Sequence, residues 1–371
     1  MTFAGEIGQV AEAFITREIA PFQEKWAQRS GIDPEIWLKA GELGLISPDV
    51  PKEHGGAGGD FRAFAAILEA RARQDDRSWG ISNQAIVINY ILHHGTDGQR
   101  AKYLPSLLAG RLIGAIAMTE PHTGSDLKAI TARARRADDG YVISGRKSFI
   151  SNVRDAGLII VAVKTDDNAG VRGISLMLVD VPAKGFEVVR HLPKVGQKGL
   201  DTSEIDFADV QLGADALLGG VEGRGFAQLM DELPYERMIV AVTAVATMER
   251  ALAIASDYAK TRSAFDKKLI ELQHIRFKLA EMKAQCTVGR TFVEACIDRL
   301  IRGELDAATA STAKLWLTEA EFGIVDQCVQ ILGGNGYLSD YPAAQLFIDA
   351  RVDRIYGGTS EIMKEIIART V

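Results

Sequence analysis

The chain has 371 residues, 47% of them hydrophobic, and its mean hydropathy of +0.02 is typical of a globular protein with a sizeable core. The formal net charge of −6 and an isoelectric point near 5.7 argue against the basic face that nucleic-acid binders carry. Uninterrupted apolar runs stay below the roughly 18 residues that a membrane span needs, so no span is predicted.

Cysteines and histidines give no sign of a metal or redox site. Cys286, Cys296 and Cys328 have no ligand spacing, and the six histidines are scattered along the chain. The first residues, 1–6, form neither a basic nor an apolar segment, so no signal peptide is expected. Reduced thiols and a cytoplasmic location are therefore predicted.

Helical patterns dominate residues 1–112, which are predicted to form an N-terminal all-α domain. Pro34 opens one helix behind the cap residue Asp33. A glycine-rich stretch at 51–60 is interpreted as a turn. The other predicted helices cover residues 6–29, 61–73, 78–93 and 99–108.

Short β-type runs replace the helices between residues 113 and 218. Their regular spacing and the turn residues between them predict a middle domain built as a β-barrel or β-sandwich. The predicted strands cover residues 113–118, 141–150, 158–164, 174–181, 186–191 and 204–210.

Long helical patterns return in residues 219–371 and predict an antiparallel C-terminal four-helix bundle. The fold class is thus α+β, in the order helices, β-domain, helices. The predicted helices of this last domain cover residues 225–262, 272–303, 305–332 and 360–370.

A glutamate interrupts the apolar stripe on the first long helix of this bundle. The stripe is formed by Phe226, Leu229, Leu233 and Val240, and Glu236 falls on it. Pro234 frees a carbonyl and predicts a local kink. A carboxylate in apolar surroundings has a raised pKa, as a general base needs near neutral pH. The alternative is an ion pair with Arg237 or Arg250, and this stretch alone favours that alternative.

Three clusters rich in glycine and polar residues lie at 117–126, 330–337 and 349–362. Their hydroxyls and backbone amides are suited to phosphates and planar heterocycles. Each cluster alone is more often a turn or a helix cap than a site. The glycines at 220–225 lack the spacing and the preceding strand of a dinucleotide-binding motif.

Taken together, in this order and on this architecture, the clusters resemble the acyl-CoA dehydrogenase family over essentially the whole chain. The resemblance implies the acyl-CoA dehydrogenase fold with FAD held between the domains. It implies dehydrogenation of an acyl-CoA thioester to the trans-2-enoyl-CoA, with electrons passed to electron-transfer flavoprotein. It also implies a homotetramer, with a dimer as the alternative.

The resemblance further implies a set of cofactor-binding residues. The fixed fork of Arg262 suits the FAD pyrophosphate. Phe149 stands where the family often has tryptophan, while Val153 and Asp266 stand where glycine is usual. The full set is Ile116, Met118, Thr119, Ser125, Phe149, Ser151, Arg262, Phe265, Gln273, Gln330, Gly333, Gly334, Thr359 and Glu361.

The catalytic base departs from the family's commonest pattern. Most members place a glutamate directly before the Gly-Thr of the third cluster, where this chain has Gly357. A minority, notably the long-chain and isovaleryl branches, place it on the first long helix, at the position of Glu236. The residues around both positions most resemble the long-chain branch. The implied substrate-binding residues are Ser125, Pro234, Tyr235, Arg237, Gly357 and Gly358.

The sequence does not specify the acyl chain. A long chain is predicted, with a branched or terpenoid-derived acyl-CoA as the alternative. Two other functions on the same fold stay open: a flavin oxidase or monooxygenase, and a non-catalytic acyl-CoA-binding protein.

Overall fold

The computed structural model describes residues 2–371, which form two compact units. The first unit contains the chain up to Phe64 together with Ser78–Lys194 and Lys198–Glu232. The second contains Ala65–Arg77, Val195–Gln197 and Leu233–Val371. The predicted order of helices, sheet and helices is confirmed. The predicted domain limits at residues 112 and 218 stay predictions.

The N-terminal helices are fixed by caps and by one buried amide. The Thr96 side chain and Gln99 cap α6 reciprocally, which satisfies donors at the helix start. Gln84 donates to the carbonyls of Leu107 and Leu112 and accepts from the Gly114 N–H, so it joins α5, α6 and the first strand. The helices are α1 (Phe3–Phe14), α2 (Gln23–Arg29), α3 (Glu35–Glu42), α4 (Phe61–Arg73), α5 (Ile81–His94) and α6 (Asp97–Leu108).

The predicted continuous helix over residues 6–29 is wrong in its middle. A π-helical turn at Ile15–Ile19 and a 3₁₀ turn at Ala20–Phe22 separate α1 from α2. Pro21 has no N–H to donate, so it removes one α-helical hydrogen bond at the 3₁₀ turn that precedes α2.

The middle of the chain forms a seven-stranded sheet in the first unit. Neighbouring strands follow the order β1, β4, β2, β3, β7, β6, and β5 pairs with β4. Strands β1 and β4 run parallel, with Gly114 opposite Leu158. The strands are β1 (Gly114–Ala117), β2 (Arg133–Ala137), β3 (Gly140–Ser151), β4 (Leu158–Lys164), β5 (Ile174–Asp180), β6 (Phe186–His191) and β7 (Thr202–Gly213).

The second unit contains the long helices, except that residues 225–232, at the start of the first of them, belong to the first unit. Helix α7 runs through Pro234 without ending, and the predicted kink there stays a prediction. By length and composition α7 is long and apolar enough to cross a membrane. However, 72% of its most apolar 18-residue stretch is buried inside the protein. The elements are α7 (Gly225–Thr261), β8 (Ser263–Ala264), β9 (Lys267–Lys268), α8 (Gln273–Ile301), α9 (Ala307–Leu332), α10 (Pro342–Ala350) and α11 (Ser360–Ala368).

Candidate active site

The first polar cluster forms a closed loop directly after β1 in the first unit. Glu120 and Thr123 exchange backbone hydrogen bonds of 2.8 and 3.2 Å. Gly124 faces Thr119, since a Cβ on Gly124 would lie 3.5 Å from the Thr119 Cγ2. The Ser148 N–H donates to the Thr119 carbonyl at 2.9 Å. The loop therefore holds Thr119 against β3, the strand that carries Phe149 and Ser151.

A buried ion pair anchors this loop. The Lys147 Nζ donates to a Glu120 carboxylate oxygen at 2.9 Å and to the Met118 carbonyl at 3.0 Å. The second Glu120 oxygen accepts from the Thr131 N–H and hydroxyl, each at 2.7 Å. Burial opposes ionisation of Glu120, but the Lys147 ammonium and the hydrogen-bond donors outweigh it and lower its pKa. The Met118 carbonyl is thus fixed by a charge-assisted bond.

Phe149 has an unusual backbone and an exposed ring. Its φ of +60° lies in the left-handed region, which a bulky side chain rarely adopts, and 66% of the residue is exposed. Such strain costs of order 1–3 kcal/mol and is found preferentially at functional sites. Nearby on β3, the Ser151 hydroxyl lies 3.3 Å from the Thr202 hydroxyl. The first unit therefore places Thr119 against β3, through the bond from the N–H of Ser148, which directly precedes Phe149 in sequence.

Glu236 and Arg237 are both buried on α7, with 8% and 2% of their surfaces exposed. Among residues 2–371, no hydrogen-bond partner is found for the buried Arg237 Nε. Burial lowers the pKa of Arg237, and the nearby Glu236 charge opposes that shift. An unsatisfied buried guanidinium N–H is costly, so the Arg237 Nε calls for an acceptor that residues 2–371 do not provide.

The two arginines considered as structural partners of Glu236 differ in the structure. Arg250 forms a two-bond ion pair with Asp75, at 2.9 and 2.6 Å. The Arg250 guanidinium therefore already binds the Asp75 carboxylate. Arg237 interacts electrostatically with Glu236 but does not satisfy its own Nε. An ion pair with Arg250 is thus a poor explanation for Glu236.

The two alternative positions for a catalytic carboxylate converge in the second unit. A Cβ added to Gly357 would meet Val240 Cγ2 at 3.8 Å, an ordinary van der Waals distance. Val240 follows Glu236 by one turn of α7, so Gly357 faces the helix one turn from Glu236. A carboxylate from either position would therefore reach the same neighbourhood.

A buried charged network supports the segment that contains Gly357. Arg77 lies 3.4 Å from carboxylate oxygens of both Glu321 and Asp353, and it donates to the Thr247 hydroxyl at 2.7 Å. Burial opposes the charge on Arg77, but Asp353 and Glu321 outweigh it and raise its pKa. The Tyr356 hydroxyl donates to Asp353. The third cluster is therefore held from inside the second unit.

Lys314 and Glu319 form further hydrogen bonds to the third cluster, up to the start of α11. The Lys314 Nζ donates to the Gly358 carbonyl at 2.8 Å. Glu319 accepts from Arg354 at 2.7 Å and from the Ser360 hydroxyl at 2.6 Å. The Thr359 side chain caps α11 by accepting from the Ile362 N–H.

The remaining predicted cofactor residues of the second unit lie at the ends of helices and at one hairpin turn. Phe265 resembles Phe149, since its φ is +55° and it is 88% exposed. Asp266 adopts φ +59°, so it keeps the left-handed conformation that the usual glycine favours. Arg262 lies at this hairpin, Gln273 begins α8, Gln330, Gly333 and Gly334 lie at the end of α9, and Thr359 and Glu361 lie at the start of α11.

The residues implied as cofactor contacts have the chemistry that FAD requires. All of them are exposed or half-buried, from Ile116 on β1 to Glu361 on α11. Hydroxyls and an exposed aromatic ring suit the flavin ring, a guanidinium suits the pyrophosphate, and amides suit the adenosine. The donor set therefore fits FAD. Its individual members stay predictions.

Some supporting residues were missed by the sequence predictions. Lys314 and Glu321 lie on the buried face of α9 among alanine and leucine. The signal that singled out Glu236, a charged residue on an apolar stripe, is present for both. Lys147 and Glu120 give no comparable signal, because a single charge in a short strand or loop is ordinary.

The three domain families of acyl-CoA dehydrogenases match this chain in order. The N-terminal domain family matches residues 5–111, the middle domain family 115–210, and the C-terminal domain family 223–371. The mitochondrial long-chain specific acyl-CoA dehydrogenase of Rattus norvegicus is 41% identical over 361 residues, covering 96% of this chain and 84% of the relative. The mitochondrial isovaleryl-CoA dehydrogenase of Oryza sativa is 34% identical over 340 residues, covering 91% and 83%.

Solved structures agree with these matches. An acyl-CoA dehydrogenase from Geobacillus kaustophilus superimposes with a TM-score of 0.96 at 39% identity, covering 99% of this chain and 97% of that one. A glutaryl-CoA dehydrogenase from Mycobacterium smegmatis in complex with FADH2 superimposes with a TM-score of 0.92 at 25% identity, covering 99% and 94%.

Proposed function

We propose that this chain, which belongs to the acyl-CoA dehydrogenase family, oxidises long-chain acyl-CoA thioesters with Glu236 as the base. The chain is an FAD-dependent enzyme of the long-chain branch of that family. The convergence of Gly357 and Glu236 carries this proposal. The commonest catalytic position has no side chain here, and a buried carboxylate lies one helical turn from the residue that Gly357 faces.

The role of Glu236 follows from the acidity of the substrate. The α-hydrogen of a thioester is weakly acidic, so its removal needs a base that is placed against the α-carbon and shielded from water. Glu236 is buried on a helix, which suits both requirements. When bound, FAD accepts the β-hydrogen as a hydride.

The developing enolate oxygen needs hydrogen-bond donors that are already in place. Gly357 and Gly358 supply backbone N–H groups beside the proposed base, without a side chain to obstruct the thioester. Arg237 is proposed to contact the CoA portion, since its buried Nε has an unused donor. Pro234 and Tyr235 lie on the same segment of α7 and are proposed to line the substrate site, and Ser125 is proposed to contact both cofactor and thioester.

Thr119, Phe149 and Ser151 are the residues that would hold the flavin ring in the first unit. The buried Lys147–Glu120 pair holds the loop that carries Thr119 against β3. As the family resemblance implies, Arg262 would bind the FAD pyrophosphate across a subunit interface, and Gln330 would contact the adenosine side of FAD. Strain at Phe149 is consistent with this role, because the strained backbone presents the ring to the exterior.

The electron acceptor and the assembly are part of the proposal. We propose electron-transfer flavoprotein as the acceptor, a homotetramer as the assembly and the cytoplasm as the location, as the family resemblance and composition suggest. A flavin oxidase would instead consume oxygen in step with substrate. Oxygen uptake equal to the rate of enoyl-CoA formation, measured without added acceptor, would contradict electron-transfer flavoprotein as the physiological acceptor.

The chain-length proposal predicts a rising trend of kcat/KM with acyl length. Each added methylene that the protein buries contributes about 0.8 kcal/mol, so palmitoyl-CoA is expected to exceed butyryl-CoA by a factor of at least about 100. The measurement is a panel of butyryl-, octanoyl-, palmitoyl- and isovaleryl-CoA under identical conditions. A maximum at isovaleryl-CoA would show a branched-chain enzyme instead.

Returning a carboxylate to the C-terminal position tests whether the two positions serve one site. In an enzyme that carries Glu236→Gln, the added change Gly357→Glu should raise the rate of flavin reduction by about 10- to 100-fold. Recovery stays partial because a non-glycine residue at φ +65° costs roughly 1–2 kcal/mol. The matched control combines Glu236→Gln with Gly357→Gln, which adds the same strain without a carboxylate and should give no recovery.

A further inference from the structure

Lys314 is a fully buried lysine on α9 that the reaction as described does not use. It lies on the buried face of that helix, near Ala310, Ala313 and Leu317. Burial of an ammonium group is expensive unless it forms strong hydrogen bonds. A hydrocarbon side chain would pack in these surroundings at lower cost, so the amino group calls for a specific explanation.

The amino group of Lys314 reaches the turn beside the proposed base. Its Nζ donates to the carbonyl oxygen of Gly358 at 2.8 Å. This contact joins the N-terminal third of α9 to the residue directly after Gly357, across 44 residues of sequence. The contact lies within the second unit.

The turn that Lys314 contacts has little conformational restraint of its own. Gly357 and Gly358 have φ values of +65° and +96°, which glycine adopts without strain. Two successive glycines also have wide conformational freedom, so an external contact must select one geometry. A backbone N–H that stabilises an enolate has to be aimed before the reaction starts. The Lys314 contact supplies such a restraint.

We propose that Lys314 is a positioning residue for the dehydrogenation, because its ammonium group fixes the Gly357–Gly358 turn against the proposed base Glu236. This inference rests on the proposed function. Lys314 contacts the backbone of the turn, so it acts through Gly357 and Gly358. It binds a carbonyl oxygen, and a charged donor holds a carbonyl more strongly than a neutral one.

The charges around Lys314 make its protonation sensitive to pH. Burial lowers its pKa to about 8, and Arg237 on α7 adds to that effect. Asp353, which precedes the turn, and Glu319 and Glu321 on α9 act in the opposite direction. Below about pH 8 the group is an ammonium ion, and above it the contact with Gly358 loses its charge.

The test compares Lys314→Met with Lys314→Arg in the FAD-loaded enzyme. Methionine fills similar volume without a donor, and we expect it to lower the rate constant of flavin reduction by acyl-CoA by about 10- to 100-fold. Arginine keeps a donor with a permanent charge and should recover most of that loss. FAD content and Tm, measured on the same samples, are expected to stay near wild type.

The pH profile separates positioning from a general structural role. The wild-type rate constant for flavin reduction should fall above about pH 8, as Lys314 loses its proton. In Lys314→Arg this alkaline decline should disappear, because arginine stays protonated. A decline that persists unchanged in Lys314→Arg would overturn the proposal. Should the variants fail to fold, a wild-type rate constant that is flat through pH 8 would overturn it as well.

The turn itself provides a readout that does not depend on activity. Hydrogen exchange of a peptide that spans residues 355–361 should become faster in Lys314→Met and stay near wild type in Lys314→Arg. If Lys314→Met shows wild-type rates of both flavin reduction and hydrogen exchange, the inference about Lys314 is overturned, while the proposed function is not. If the wild-type enzyme itself fails to reduce FAD with any acyl-CoA, the proposed function fails instead.

Discussion

Replacement of Glu236 with glutamine is expected to lower the rate of acyl-CoA dehydrogenation by about 10³- to 10⁴-fold, the upper part of the range for a general base. Glutamine keeps the size and hydrogen-bonding capacity of the side chain but cannot take up the α-proton. FAD content should be unchanged, since no cofactor contact is proposed for Glu236. Steady-state turnover and the flavin spectrum of the purified variant measure both effects.

Glu232 provides a matched control on the same helix. It is also a buried carboxylate, and its oxygens lie 2.8 Å from the His93 Nδ1 and 3.2 Å from the Asn89 Nδ2. Burial opposes its ionisation, but the hydrogen bond from His93 and the close contact with His94 outweigh it and lower its pKa. Glu232→Gln removes a buried charge without removing the proposed base. Turnover within about tenfold of wild type is expected, since only a structural pair is lost.

Replacement of Lys147 with methionine is expected to have the largest effect on stability. The change leaves the Glu120 carboxylate buried without its cation, which typically costs about 3–5 kcal/mol. It also frees the Met118 carbonyl, so the loop that carries Thr119 loses its anchor. Thermal unfolding should show a Tm lowered by several degrees, and gel filtration should show weaker retention of FAD.

A double variant checks the cause of that loss. Combining Lys147→Met with Glu120→Gln removes both charges, and replacement of a whole buried pair is often nearly neutral. The double variant should therefore be more stable than Lys147→Met alone, and a Tm at or below that of the single variant would contradict the ion-pair explanation. A wild-type Tm for Lys147→Met would show that the pair contributes nothing.

The order of helices and strands was predictable because hydrophobic periodicity differs between them. The predicted limits of β4 and β6 agree with the structure, and those of α4 also agree. Strand β2 was missed because it reads Arg-Ala-Arg-Arg-Ala, with Ala134 as its buried position. Its pairing with β3 and β4 stabilises it, and such pairing is tertiary information that periodicity lacks.

Candidate positions for the base were predicted where a residue departed from a pattern. Glu236 departs from an apolar stripe, and Gly357 departs from the family's usual glutamate, so both were identified. Their proximity needed the fold, because 121 positions of sequence separate them. The partners of Lys314 and Lys147 were not predictable, since burial by itself does not indicate which carbonyl or carboxylate a lysine contacts.

The most direct test of Glu236 as the base is a single turnover without oxygen. FAD-loaded wild-type enzyme and Glu236→Gln are each mixed with excess palmitoyl-CoA, and flavin absorbance is followed by stopped flow. Palmitoyl-CoA should bleach the wild-type flavin rapidly and leave the Glu236→Gln flavin yellow over the same period. Bleaching of the Glu236→Gln flavin at the wild-type rate would contradict the assignment.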